Sequence, residues 1–394
     1  MSGFQLKVGA AFLAILGLVA NPALSNAQSM DTPATHAILI DAQTGSVLFE
    51  KNADTPFPPA SMSKLMTIYV AFEMIKEGIV ELDDTTTVSV DTWRKWRLQG
   101  STMFLNARDE ITIADLLRGI IVQSGNDACV VLAEALAGSE STFIDWMNIK
   151  ADELGLKGSV FKNTNGWPDP EHVMTARDLG ILAQLLANDF PDLYPIFAEG
   201  SYTYGIDPTT GLPIIQPNRN PILGSVEGAD GLKTGHTDAS GYGLTGSALR
   251  EGRRLILVAS GLASSRARKR ESQRLLEYGF RNFKTYNLLT KGQVIEEVNV
   301  WLGNAPKTPL VVSEDLQLTL GRLQRNKMKV TLTYEDPIPA PITIGQPLAT
   351  LRIEIPNKKD IIVPLVAGKS IDEISGLGKI SAAFSYLLFG SAVF

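Results

Sequence analysis

The chain has 394 residues, 44% of them hydrophobic and 20% charged, with a formal net charge of −6 and one cysteine. That length supports more than one domain. An acidic balance with no basic excess argues against a nucleic-acid partner, and the lone Cys129 rules out an internal disulfide framework.

In chain order, Lys7 precedes an apolar stretch from Val8 to Ala20, and Ser25-Asn26-Ala27 supplies small residues suited to a signal peptidase. Residues 1–27 therefore read as a secretory signal, set apart from the fold, and the mature protein is expected outside the cytoplasm. Losing Lys7 with this leader, which holds no acid, takes the charge from −6 to −7. His36-Ala37-Ile38-Leu39-Ile40 reads as a strand, with His36 structural. Pro58-Pro59-Ala60 then leads into Ser61-Met62-Ser63-Lys64 and the apolar run Leu65 to Phe72, a chain entering a buried helix. Residues three apart on a helix share a face, about 5–6 Å apart at Cβ. Ser61 and Lys64 thus make a nucleophile and base pair, provided that burial and a second cation lower the lysine pKa. Lys233 is the expected second cation, and the helix N-terminus favours negative charge at Ser61.

Ser124-Gly125-Asn126-Asp127 separates the apolar stretches Leu116 to Val122 and Ala128 to Ala133. Asn126 or Asp127 is expected to cap the second helix, and Cys129 to be buried near its start. A second S-x-x-K, Ser159-Val160-Phe161-Lys162, runs into the turn-forming Asn163-Thr164-Asn165-Gly166, so no helix presents its two side chains together. His172 follows Pro168-Asp169-Pro170-Glu171 and reads as a surface residue. Lys233-Thr234-Gly235-His236 lies in a glycine-rich strand, where glycine is expected to admit a ligand close to the backbone. Tyr242 to Ser247 and Leu255 to Ala259 read as strands joined by a hairpin at Arg250-Glu251-Gly252-Arg253.

After Phe283 strand-like runs dominate, at 293–300, 329–334, 349–355 and 360–365, which gives a small all-β domain over 284–368 without a catalytic constellation. Over 369–394 apolar residues recur at helical spacing, but the stretch from Ile380 is too short and serine-rich to span a bilayer of about 20 helical residues. An amphipathic helix lying on a membrane is expected, anchored through Phe384, Leu387, Leu388, Phe389 and Phe394.

S-x-x-K, an S-x-N triplet and K-T-G in that order form the signature of penicillin-binding proteins and class A β-lactamases. From about Pro33 to Lys284 the chain resembles the serine D-alanyl-D-alanine carboxypeptidases of peptidase family S11, the low-molecular-mass penicillin-binding proteins of the 5/6 type. The likeness rests on Pro59 to Lys64, Gln123 to Cys129, Gly231 to Thr237, and Arg268-Lys269-Arg270-Glu271-Ser272 with Leu275 to Phe280. It implies an α/β (α+β) catalytic domain of the β-lactamase/DD-peptidase type over 28–283, with a central antiparallel sheet. It also implies roles: Ser61 attacks the penultimate D-alanine carbonyl, and Lys64 takes its proton and later activates water. Ser124 and Asn126 move a proton and hold the substrate amide. Lys233, Thr234, Gly235 and His236 line the substrate strand, and Arg268 recognises the terminal carboxylate. The oxyanion hole falls to the backbone N–H groups of Ser61 and His236.

The implied partners are peptidoglycan stem peptides ending in D-Ala-D-Ala, β-lactam antibiotics as covalent inhibitors, and the outer face of the bacterial inner membrane in the periplasm. No cofactor or metal is expected: His36, His172 and His236 lie far apart, and H-E-x-x-H, G-x-S-x-G and phosphate-loop motifs are absent from the sequence. Glu153 lacks the asparagine context of a deacylating β-lactamase glutamate. A β-lactamase, an endopeptidase or esterase, and a penicillin-binding receptor without turnover remain the alternatives.

Overall fold

The computed structural model describes residues 30–376 except 208 and 357. The chain divides after Arg281 into two compact units. The expected leader at 1–27 lies outside the described residues.

The first unit is built on a five-stranded sheet in the spatial order Val47–Lys51, His36–Asp41, Arg253–Leu262, Gly241–Arg250, Ala229–Thr237. Every neighbouring pair is antiparallel. Arg250 pairs with Arg253 across the predicted hairpin, and Glu251 (φ 49°) with Gly252 (φ 78°) makes the two-residue turn whose twist matches the strands.

Helices pack on this sheet and on one another. α1 (Lys64–Lys76) is buried at every position from Lys64 to Phe72, so it runs through the core rather than along it. Each fully buried Leu, Ile or Phe of this kind contributes about 1.5–3 kcal/mol. α2 (Val90–Trp96) is capped by Ser89, whose Oγ accepts from Thr92 N, and α3 (Ile113–Gln123) by Thr112, which accepts from Asp115 N. α4 (Asn126–Ala137) ends at Gly138 in the left-handed region, and α5 (Glu140–Glu153), α6 (Ala176–Asp189) and α7 (Ser265–Asn282) follow.

In the second unit, six strands order as Lys329–Tyr334, Pro347–Glu354, Ile361–Ala367, Lys307–Val312, Val294–Trp301 and Ile338–Pro339, beside the pair Phe283–Leu289 and Leu316–Gly321. Val298, Leu310, Ile353 and Leu365 are among its core. One short helix, Arg322–Lys327, interrupts the all-β pattern. The expected terminal helix does not begin at 369. Ile371 bridges to Ile342 and Glu373 to Gly303, because Ile371, 1% exposed, is core to this unit. The remainder of that segment, 377–394, lies outside the described residues. Among the described residues no helix is long and apolar enough to cross a membrane.

Candidate active site

Ser61 sits in a 3-10 turn, Ala60–Ser63, that runs directly into α1. Ala60 has φ 50°, a left-handed conformation that costs a non-glycine residue of order 1 kcal/mol or more and that turns the chain sharply into the helix. Two glycines press on this turn. A Cβ on Gly166 would meet the Ala60 carbonyl oxygen at 2.1 Å, and one on Gly235 would meet the Pro59 oxygen at 2.8 Å. The glycine of the K-T-G strand therefore lets that strand close on the turn that carries Ser61.

Lys64 is fully buried, and its Nζ has three oxygen neighbours: Ser61 Oγ at 2.8 Å, Asn126 Oδ1 at 2.8 Å and the Asn165 carbonyl at 2.5 Å. Burial lowers its pKa to about 8, with the Arg219 charge adding to the effect and Cys129 and Asp127 opposing it. Asn126 is held in one orientation, since its Nδ2 donates to Gln99 O at 3.0 Å. Burial is also what pushes Lys233 well below its ordinary range, followed by the Lys64 charge; its Nζ donates to Thr234 O at 3.2 Å.

Ser124 ends α3 in the left-handed region (φ 65°, ψ 30°), where glycine or asparagine is usual. It is 2% exposed, and its Oγ is buried without a hydrogen-bond partner. Such a group costs about 1–3 kcal/mol. Backbone strain and an unsatisfied buried hydroxyl thus coincide at this one residue. Neither Asn126 nor Asp127 caps α4. Gly125 is the cap residue, Asn126 turns its side chain to Lys64, and the buried Asp127 carboxylate accepts from Met103, Leu105 and Ala128 N. That pins the segment between α2 and α3 beside the site. Burial raises the Asp127 pKa against those donors.

Ser61, Ser101, Asn126, Trp167, His236 and Asp238 are among the residues lining one cleft of about 450 Å³. The His236 ring centroid lies 3.9 Å from that of Tyr242, its partner across the strands, with the rings tilted by 32°, and the Arg268 guanidinium lies 5.7 Å over the Tyr242 ring. Arg268 is half-buried with its Nε unpartnered, whereas Arg266, Lys269 and Arg270 around it are exposed. It is set apart from the solvated basic run.

Residues 23–263 match the family of D-alanyl-D-alanine carboxypeptidases, peptidase S11. The chain belongs to that family. Residues 283–373 match the C-terminal domain of penicillin-binding protein 5. The D-alanyl-D-alanine carboxypeptidase DacC of Escherichia coli K12 is 36% identical over 95% of this chain and 93% of its own length. DacF of Bacillus subtilis is 34% identical over 81% of this chain and 80% of its own. Among solved structures, DacD of Francisella tularensis matches at a TM-score of 0.79 with 28% identity, covering 93% of this chain and 99% of that one. Penicillin-binding protein 5 of Haemophilus influenzae matches at 0.73 with 33% identity, over 87% and 99%. The fold is thus that of a carboxypeptidase of this family, with a mixed α/β unit followed by a β unit.

Within this carboxypeptidase fold the structure corrects the surface reading of His172 and fits the readings of the second S-x-x-K and of Glu153. His172 is not on the surface but 2% exposed, edge-on to Phe161 at 5.7 Å, its Nδ1 accepting from Lys162 N at 3.2 Å. The second S-x-x-K is non-helical, with Val160 bridged to Val173. Glu153 is engaged with Lys150 at 2.6 Å. Three contributors went unread. Asn165 supplies only a backbone carbonyl, and Arg219 lowers the pKa of Lys64, Lys233 and Arg268 while its guanidinium donates to Ser101 Oγ. Tyr242 is the third. Of these, the turn Asn163-Thr164-Asn165-Gly166 was visible in the sequence, but nothing in it pointed to Lys64. Among the described residues no cluster of His, Cys, Asp or Glu could hold a metal ion.

Proposed function

We propose that this protein is a serine D-Ala-D-Ala carboxypeptidase that removes the terminal D-alanine of peptidoglycan stem peptides through an acyl-enzyme on Ser61. The observation that carries this reading is the set of three oxygens around Lys64. Asn126 Oδ1 and Asn165 O can only accept. When Lys64 loses one proton, its two remaining N–H groups are claimed by those carbonyls, and its lone pair is left for the Ser61 hydroxyl. With a pKa of about 8, on the order of a tenth of the molecules hold that base at pH 7.

Ser61 Oγ then attacks the carbonyl of the penultimate D-alanine as its proton passes to Lys64, and the backbone N–H groups of Ser61 and His236 receive the oxyanion. The departing D-alanine amine needs a proton, which the unpartnered Ser124 hydroxyl relays from Lys64. Lys233, Thr234 and Arg268 hold the terminal carboxylate. Gly235 gives the strand its close seat on the nucleophile turn. Water attacks the ester with Lys64 again as base, returning Ser61. β-Lactams acylate the same oxygen. The protein acts in the periplasm, and residues 377–394 hold it to the outer face of the inner membrane through their aromatic and leucine side chains.

The test is D-alanine release from a peptide ending in D-Ala-D-Ala, by the mature protein and by Ser61→Ala. Release lost in the variant is the expected result. No release from the unaltered protein, with penicillin still labelling Ser61, would overturn the carboxypeptidase reading in favour of a receptor or an endopeptidase.

A further inference from the structure

Arg268 occupies an unfavourable place for a cation. It lies in the first turn of α7, at the end of a helix whose partial positive charge disfavours positive side chains. Arg270 and Arg274 on the same helix both pair with Glu271, at 3.3 and 2.7 Å. Among the described residues Arg268 makes no ion pair. Its Nη1 donates to Gly243 O at 3.5 Å, and its buried Nε has no acceptor. Burial lowers its pKa, which reflects the cost of keeping the charge there.

The group that faces the guanidinium is the Tyr242 ring, at 5.7 Å. A register shift brings the two together. Tyr242 pairs with Leu262 while Leu244 pairs with Ala259, so Ser260 and Gly261 together oppose Gly243. Gly261, at φ 78°, accommodates the extra residue. A bulge of this kind re-aims the residues around it. Leu262 thereby ends its strand opposite Tyr242, and Ser264 opens α7 two residues later. The Ser264 Oγ accepts from Ala267 N at 3.1 Å, and its carbonyl accepts from Arg268 N at 2.9 Å. On its other side Tyr242 pairs with His236 of the K-T-G strand. The ring therefore touches both the substrate strand and Arg268.

A carboxylate could also hold an arginine in place, but it would occupy the N–H fork and cancel the charge. An aromatic face does neither. We propose that Tyr242 is a positioning residue: its ring holds the Arg268 guanidinium and leaves the N–H donors free for the terminal carboxylate of the peptide. The inference rests on the carboxypeptidase reading and adds to it a residue that acts through Arg268. Removing the ring also removes packing from His236, whose backbone N–H is the proposed oxyanion donor. That effect would lower kcat whether or not Arg268 is present. Losing the hold on Arg268 acts on KM, and only while Arg268 is present.

The experiment is a double-mutant cycle on KM and kcat for D-alanine release from a free-acid peptide ending in D-Ala-D-Ala. Tyr242→Leu and Tyr242→Gln both remove the ring. With Arg268 intact, each is expected to raise KM about three- to tenfold, the range of a partly desolvated contact between cation and ring. In the Arg268→Ala background the same substitutions are expected to change KM by less than about 1.5-fold. Tyr242→Phe, which restores the ring, is expected to bring KM back to within about twofold. Active enzyme is counted by fluorescent penicillin taken to completion, so a poorly folding variant changes that count and not KM. A KM unmoved by loss of the ring, or raised equally in both backgrounds, overturns the role of Tyr242 and leaves the carboxypeptidase reading standing. A loss confined to kcat does the same. No D-alanine release from the unaltered protein overturns both.

Discussion

Lys64 Nζ and the Asn165 carbonyl oxygen stand 2.5 Å apart across 101 residues of sequence. This contact ties the proposed base to the turn that carries Trp167, and Gly166 in the same turn lies too close to Ala60 to tolerate a side chain. Nucleophile, base and the wall of the cleft are thus braced by one loop.

The state of Lys64 sets the pH dependence of acylation. Its neutral form is the base, and its pKa is lowered to about 8. The acylation rate by a chromogenic β-lactam is therefore expected to rise with pH and level off above about 8. In Lys64→Arg, whose side chain stays charged, the rate should fall by at least about a thousandfold and lose that rise. A flat profile in the unaltered protein would contradict the assignment.

Ser124 predicts a separation of stability from activity. Glycine at this position relieves φ 65° and removes the unpartnered buried hydroxyl. Ser124→Gly is expected to raise the melting temperature by a few degrees, corresponding to about 1 kcal/mol, and to lower D-alanine release about a hundredfold or more. Thermal unfolding and turnover measured on one preparation check both. A destabilised variant would show that the serine earns its place structurally.

Arg268 is expected to act on the carboxylate end. A charge-assisted hydrogen bond is worth about 1.5–3 kcal/mol, or about 10–100-fold in affinity. Arg268→Ala should raise KM for a free-acid D-Ala-D-Ala peptide by that range. It should change KM little for the same peptide as its C-terminal amide. Equal losses on both substrates would point to a structural role on Tyr242 instead.

His172 is a stability switch at acid pH. Burial lowers its pKa from 6.5 to about 4, so the unfolded chain takes up its proton first as pH falls. The stability contribution of neutral His172 is complete above 6.5 and is lost progressively towards 4. In His172→Gln, which keeps an acceptor for Lys162 N, the decline in melting temperature between pH 6.5 and 4 should be shallower. Parallel curves for the two proteins would remove His172 from the account.

Much of the catalytic unit was legible because its signals are local. Ser61 and Lys64 are one helical turn apart, the hairpin at Arg250 to Arg253 carries its own turn residues, and the strands beside it are continuous apolar runs. Other readings failed where a short motif had two possible environments. Asp127 had the chemistry of a cap but turned to the amides of Met103 and Leu105. His172 sat among polar residues, yet its ring was drawn beneath Phe161. At the chain's end, the helical spacing after 369 was overridden at Ile371 by burial in the β unit.

The sequence by itself determined the chemistry: a serine with a lysine three residues on, an S-x-N triplet, a K-T-G strand, and two regions of different texture. Those are relations between residues close in the chain, where backbone geometry converts spacing directly into proximity. Only the tertiary structure decided the surroundings of that chemistry. Asn165 at Lys64, Arg219 among the buried cations, Tyr242 between His236 and Arg268, and Trp167 at the cleft are brought together by packing of distant segments. No spacing encodes such contacts, because they depend on how whole elements bury their apolar faces against one another.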